Sequence, residues 1–78
     1  MFPNPFTDYI KLKITASGNA MLHITLYDGT GRVVKKQQND LHSGLNYIMV
    51  GGLQSLSKGV YILQTDNGIE KTRDKLIK

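Results

Sequence analysis

The sequence predicts an all-β fold, an antiparallel sandwich of about seven short strands. Three observations carry this prediction. Apolar and polar residues alternate with a period of two in several runs, which is the pattern of a half-buried strand. Clusters of Gly, Asn, Asp and Ser interrupt these runs about every 8 to 12 residues, as turns do in a sandwich. The 78 residues are 40% hydrophobic and 21% charged, which is typical of one folded domain rather than of a disordered segment.

The first part of the chain predicts two strands, in residues 8–15 and 20–27. The two prolines within residues 3–5 exclude a helix at the start, because proline fixes φ and lacks an N–H group. Turns are predicted at residues 17–19 and 28–31, which contain glycines. In both strands every second residue is aliphatic, and these residues predict two buried faces: Ile10, Leu12, Ile14, Leu22, Ile24 and Leu26.

The second part of the chain predicts an edge strand, a further strand and a final hairpin. Residues 32–38 begin apolar and end polar, as in a strand that runs out to an exposed edge, and residues 39–44 are expected to form a loop. In residues 45–50, Asn46, Ile48 and Val50 share one side. Residues 53–58 could hold a single helical turn, because Leu53 and Leu56 are three positions apart. The last two strands are residues 59–65 and 70–78.

Asn67-Gly68 predicts the hairpin between these two strands, since a type I′ turn needs positive φ at both central residues. The implied register pairs Asp66 with Ile69, Leu63 with Thr72, Tyr61 with Asp74, and Gly59 with Leu76. Tyr61, Leu63 and Leu76 then face the core, and a slip of one residue would invert them. Short strands joined in this way predict an immunoglobulin-like sandwich.

Residues for catalysis are absent or unsuitably spaced, so we expect a domain that is not an enzyme and has no cofactor and no metal site. The sequence contains no cysteine and no G-x-S-x-G nucleophile motif. Its two histidines, His23 and His42, have no carboxylate at a metal-binding spacing. Asp28, in the turn at residues 28–31, is expected to accept hydrogen bonds from backbone amides rather than to hold a metal.

The net charge of +4 predicts a soluble, basic surface rather than a nucleic-acid site, because the basic residues are dispersed along the chain. Apolar runs are too short to span a membrane, so no membrane insertion is expected. The start shows no pattern of a secretory signal peptide. We therefore interpret the chain as a fragment of a longer protein.

Six segments resemble one known family, and they follow each other in its order across essentially the whole chain. They are Pro3-Asn4-Pro5-Phe6, Leu26-Tyr27-Asp28, Gly31-Arg32-Val33-Val34, Gly44-Leu45-Asn46, Gly59-Val60-Tyr61-Ile62-Leu63 and Lys75-Leu76-Ile77-Lys78. In these segments the chain resembles the type A C-terminal sorting domain of the bacterial type IX secretion system. The link between residues 51 and 57 is somewhat longer than the family's pattern.

The resemblance implies a function in export. Residues 1–78 would be one C-terminal sorting domain of a larger secreted protein from the Bacteroidota, with an immunoglobulin-like fold. Such a domain directs an exported, folded cargo from the periplasm through the outer-membrane translocon to the cell surface or the medium. The implied partners are translocon and shuttle components and a sortase-like protease, which would cleave just upstream of Pro3 before the cargo is attached or released.

The resemblance also implies the residues that carry sorting. These are Gly31, Arg32, Gly59, Tyr61, Lys75, Leu76, Ile77 and Lys78, together with the N-terminal motif of Pro3, Asn4, Pro5 and Phe6. Gly31 and Gly59 are expected to serve backbone geometry, and Arg32 to pair with Asp28 or with a partner. Lys75 and Lys78 flank an apolar pair on the last strand, which a partner could read by strand addition. Whether that pair serves recognition or only the core stays open.

Two other functions are compatible with a small β-sandwich. A carbohydrate-binding or adhesion module would need an exposed aromatic platform, for which Tyr9, Tyr27, Tyr47 and Tyr61 are the candidates. A nucleic-acid-binding barrel would show salt-sensitive binding, and the dispersed charge argues against it. An open sheet edge could also pair two copies of the chain into a dimer.

Overall fold

The computed structural model describes Phe6 and residues 8–78, and all regular secondary structure in this part of the chain is β. Six strands follow one another in these described residues, so the all-β prediction is confirmed with one strand fewer than the expected seven or so. The strands are β1 (Ile10–Ala16), β2 (Ala20–Asp28), β3 (Val33–Leu41), β4 (Gly44–Val50), β5 (Val60–Asp66) and β6 (Lys71–Ile77). The prediction of an extended start at Pro3, Asn4 and Pro5 lies outside the described residues.

The strands form two antiparallel sheets. A two-stranded sheet pairs β1 with β4, and a four-stranded sheet has the order β3-β2-β5-β6. The chain crosses from one sheet to the other after β1, after β3 and after β4. Because the inner faces of both sheets contribute to one apolar cluster, the arrangement is that of a sandwich.

Most core residues are alternate strand residues that the sequence pattern indicates. Phe6, Leu41 and Leu53 are buried in addition to them. The buried apolar residues are Phe6, Ile10, Leu12, Leu22, Ile24, Leu26, Leu41, Ile48, Val50, Leu53, Tyr61, Leu63 and Leu76. The loop predicted at residues 39–44 is wrong in its bounds, because residues 39–41 belong to β3 and pair with β2, Leu41 is buried in the core, and β4 begins at Gly44. Burial of an aliphatic side chain of this size contributes about 1.5–3 kcal/mol before chain entropy is counted.

The expected helical turn at residues 53–58 is a simple turn. The Leu56 N–H donates to the Leu53 carbonyl at 3.2 Å, and no regular helix follows within the described residues. Leu53 is nevertheless buried, and its N–H donates to the Asp8 carbonyl at 3.1 Å. The long link between the sheets is thus attached to the core at Leu53.

The predicted register of the last hairpin is wrong by two residues. Asp66 pairs with Lys71, so residues 67–70 form a four-residue loop instead of a two-residue turn. Among the described residues only glycines have positive φ, and Asn67 therefore lacks the left-handed conformation that a type I′ turn requires. Its Oδ1 atom instead accepts the N–H groups of Ile69 and Glu70 at 2.9 and 2.7 Å. Because a shift of two preserves the facing, the predicted core side of the hairpin is confirmed.

Candidate recognition site

One end of the four-stranded sheet brings together most of the residues that the sequence indicates for recognition. Antiparallel pairing places Asp28 opposite Tyr61, and Tyr61 opposite Leu76. The N–H of Phe6 donates to the carbonyl of Ile77 at 3.0 Å, which brings Phe6 to the same place. We call this region the terminal-strand end, and it comprises Phe6 and residues 28–32, 53–61 and 75–78.

Asp28 organises the turn between β2 and β3. Its Oδ1 atom accepts the hydroxyl of Thr30 at 2.6 Å and the backbone N–H groups of Thr30 and Arg32 at 2.9 and 3.0 Å. The Thr30 hydroxyl first, and then the Arg32 amide, lower the pKa of the Asp28 carboxyl to about 2. These bonds stabilise the carboxylate, as expected from the sequence. Gly31 has a φ of 91° within this turn, which explains its residue type.

Arg32 projects from this turn toward solvent. Its Nε atom lies 3.3 Å from Oδ2 of Asp28, so the predicted pair forms, yet 83% of the arginine side chain is exposed. An exposed pair of this kind adds little to stability. It does hold the guanidinium group near one position, with nitrogen donors available for a planar anionic group.

Tyr61 connects β5 to Phe6 and to the long link. Its ring is buried and meets the Phe6 ring edge-on, with centroids 5.7 Å apart and an interplanar angle of 70°. Its hydroxyl donates to the Ser57 carbonyl at 2.5 Å. Tyr61 and Phe6 therefore act in the core of this end, where aromatic contact and a satisfied hydroxyl stabilise the packing.

Lys78 is held at this end by its backbone and its side chain. Its backbone N–H donates to the Gly59 carbonyl at 2.9 Å, and its carbonyl accepts the Gly59 N–H at 3.2 Å. Its Nζ atom donates to the carbonyls of Leu53, Gln54 and Leu56 at 2.6, 3.2 and 2.7 Å. The sequence indicates a cation at the end of the last strand but not this role, because backbone carbonyls carry no signal in the residue types of a loop.

The apolar pair at the end of β6 divides between core and surface. Leu76 is 1% exposed and Ile77 is 49% exposed, as the alternation of a strand requires. Val60 pairs with Ile77 and is also exposed, so an apolar area lies beside the strand end. Next to it, on the outer face of the sheet, a shallow groove of about 390 Å³ is lined by residues that include Tyr27, Ile62 and Arg73.

Side chains for other chemistry do not converge within the described residues. No group of three or more His, Cys, Asp or Glu residues lies close enough to hold a metal ion in this part of the chain. The His23 ring contacts the Gln38 amide at 3.2 Å, and the His42 backbone N–H donates to the Asn46 side chain at 3.0 Å. Residues 8–78 and Phe6 contain no helix of the length and hydropathy that crossing a membrane requires.

The tyrosines do not form the platform that a carbohydrate-binding module would need. Tyr61 is buried, and Tyr27 is half-buried on the four-stranded sheet. Tyr9 and Tyr47 are exposed near the other sheet, but the register separates them by four positions, or roughly 13 Å at the rise of a strand. Nothing in this arrangement favours the carbohydrate-binding alternative.

A comparison with known protein families finds a match to this chain. A family model described as the secretion system C-terminal sorting domain matches residues 1–78. No curated protein and no solved structure shows a significant match. Members of this family are sorting signals of type IX secretion, a role that implies interaction with the secretion machinery and export to the cell surface or the extracellular space. This chain therefore belongs to the C-terminal sorting domains of the type IX secretion system.

Proposed function

We propose that the terminal-strand end is the surface by which shuttle and translocon components recognise this domain during its transit from the periplasm through the outer membrane. The observation that carries the proposal is the convergence of the Asp28–Arg32 turn, the start of β5, the end of β6 and Phe6 at one end of the sheet. These segments are far apart in the sequence. A partner that binds this end therefore distinguishes the folded domain from an unfolded chain.

Two kinds of contact are available to such a partner. The exposed Arg32 guanidinium can form paired hydrogen bonds with a carboxylate, which give both affinity and orientation. Ile77 and Val60 offer apolar area beside it. Gly31, Gly59, Tyr61, Leu76 and Lys78 act through the backbone or the core and thereby position these groups.

Lys75 lies on β6, an edge strand of the four-stranded sheet, on the same side as Ile77. Recognition of this strand by addition of a partner strand stays a prediction. The Ile77 carbonyl already accepts the N–H of Phe6, so the chain itself occupies that position of the edge.

The domain is, in this proposal, both the signal and a substrate of processing, and not a catalyst. The cargo and a linker precede residues 1–78 in a larger secreted protein. A sortase-like protease cleaves upstream of Pro3, after which the cargo is attached to the cell surface or released. The burial of Phe6 supports a cleavage site before it, because a protease needs an accessible, extended segment.

A secretion assay tests the proposal. A fluorescent protein with a periplasmic signal peptide carries residues 1–78 at its C-terminus in a host with a type IX system. The parent fusion is expected at the surface or in the medium, and the Arg32→Ala fusion in the periplasm. Lys71→Ala is the matched control, because Lys71 is an exposed cation at the opposite end of β6; it should be secreted like the parent.

Two outcomes contradict different parts of the proposal. A folded parent fusion that stays in the periplasm shows that this chain does not direct export. Normal secretion of the Arg32→Ala fusion shows that export does not depend on the arginine of the terminal-strand end. Thermal unfolding of each purified domain verifies that the substitutions leave the fold intact.

A further inference from the structure

The outer face of the two-stranded sheet carries a second, unexplained surface. On β4, Leu45, Tyr47 and Met49 are 50%, 67% and 57% exposed and form an apolar column. On β1, exposed Lys11 and Lys13 form a parallel cationic column. The register sets Lys11 opposite Met49 and Lys13 opposite Tyr47, so the two columns lie side by side.

The side chains on this outer face do not contribute to the buried core of the sandwich. The opposite side of the same two strands, with Ile10, Leu12, Ile48 and Val50, supplies the buried face. Three large apolar side chains in succession on one solvent-facing strand leave a contiguous apolar patch, which marks an interaction site more often than scattered apolar residues do. The fold alone therefore does not explain the residue types of this column.

The charges on the face restrict the kind of partner. Lys11 and Lys13 contribute two positive charges, and the strand residues on this face include no acidic side chain. A complementary surface is therefore acidic along one side and apolar along the other. Face-to-face pairing with a second copy would enclose four ammonium groups without a carboxylate on either face, which is costly.

The dimensions of the face suit a single segment of a partner. Strands of 7 residues give a length of about 23 Å at the usual rise per residue. Two strands with their side chains are about 10 Å wide, which matches the diameter of one helix of roughly 15 residues. The charged groups lie beside the apolar column rather than around it, an arrangement suited to an amphipathic protein segment rather than to a lipid surface.

We infer that the outer face of the β1–β4 sheet docks an acidic, amphipathic segment of a partner protein, separately from the terminal-strand end. The inference rests on the proposed function, because the partner is one that the domain meets during export. Contact with both the terminal-strand end and this face would orient the domain, since the two surfaces belong to different sheets.

Site-specific crosslinking in the secreting cell tests the inference. The photoreactive residue p-benzoylphenylalanine replaces Tyr47 in the fusion described above, where the exposed side chain leaves the core untouched. The control places it at Gln38, which is exposed on β3 in the other sheet. The expected result is an adduct specific to position 47, whose crosslinked peptide, sequenced by mass spectrometry, contains both acidic and apolar residues.

Charge reversal separates docking from chance proximity. Lys11→Glu with Lys13→Glu should lower the adduct yield at least about tenfold, because like charges then face each other. The matched variant, Lys11→Arg with Lys13→Arg, should retain the adduct. Both pairs of substitutions lie at exposed positions and should leave thermal unfolding nearly unchanged.

Any of four crosslinking results overturns the inference: no adduct at position 47, an adduct with a second copy, a captured peptide without acidic residues, or a yield that is insensitive to charge reversal. Sedimentation of the domain with phosphatidylglycerol vesicles, abolished by the same charge reversal, would assign the face to lipid instead. The adduct is scored whether or not the fusion is exported. A specific adduct on a fusion that remains in the periplasm refutes the proposed function alone, and normal export without an adduct refutes this inference alone.

Discussion

Replacement of Lys78 by methionine removes the ammonium group that holds the long link between the sheets, while a side chain of similar length remains. The Nζ atom donates to three carbonyls, those of Leu53, Gln54 and Leu56, at 2.6, 3.2 and 2.7 Å. A hydrogen bond to a charged group contributes about 1.5–3 kcal/mol, and immobilising a lysine side chain costs up to about 2 kcal/mol. With each of the three bonds taken at the low end of this range and the cost of immobilising the side chain subtracted, we expect Lys78→Met to lower the free energy of unfolding by about 3 kcal/mol.

Thermal unfolding followed by circular dichroism measures this change. For a domain of this size each kcal/mol corresponds to roughly 4–8 °C, so Tm should fall by roughly 12–24 °C. Lys71→Met is the control, because Lys71 is an exposed cation at the far end of the same strand and should change stability by less than about 0.5 kcal/mol. If Lys78→Met matched this control, the three hydrogen bonds would contribute nothing to stability and the role assigned to Lys78 would be wrong.

Three further predictions concern other contacts. Because the pKa of Asp28 is about 2 instead of 3.8, its charge stabilises the fold at neutral pH and ceases to do so as pH falls toward 2. Asp28→Asn keeps an oxygen acceptor but removes the charge. The Tm of this variant should therefore lie below that of the parent at neutral pH and approach it near pH 2. A Tm difference that did not narrow toward pH 2 would contradict this. Gly31→Ala should lower the free energy of unfolding, measured with denaturant, by about 1–2 kcal/mol, because the φ of Gly31 is 91° even though there is room for an added Cβ. Gly18→Ala also has room for a Cβ, and it should leave this free energy unchanged. Leu76→Ala should cost about 2–5 kcal/mol and Ile77→Ala under about 1.5 kcal/mol, and similar values for both would refute the division of this pair between core and surface.

Local patterns in the sequence are sufficient for the strands and their buried faces. Alternation in residues 10–14 and 22–26 indicates which side chains are buried, because the period of a strand is two whatever it pairs with. The carboxylate of Asp28 and the glycine at position 31 predict their turn, since both act within a few residues. The bond between Asp28 and Arg32 is local for the same reason.

The register of the last hairpin shows where local reasoning fails. An Asn-Gly pair permits a two-residue turn but also a four-residue loop, in which Asn67 caps the amides of Ile69 and Glu70. The choice shifts β6 by two residues and sets Tyr61 opposite Leu76. Both registers bury the same face, so the hydrophobic pattern cannot distinguish them.

The sequence by itself determined the β class, the inward faces of the strands, the Asp28 turn and the resemblance to a sorting domain, because each depends on neighbouring residues or on the order of segments. Only the tertiary structure decided that Phe6 joins Ile77, that Lys78 binds the carbonyls of the long link, and that Arg32 lies at the same end of the sheet. These contacts join residues from distant parts of the chain through backbone groups, which every residue carries, so residue types alone do not reveal them.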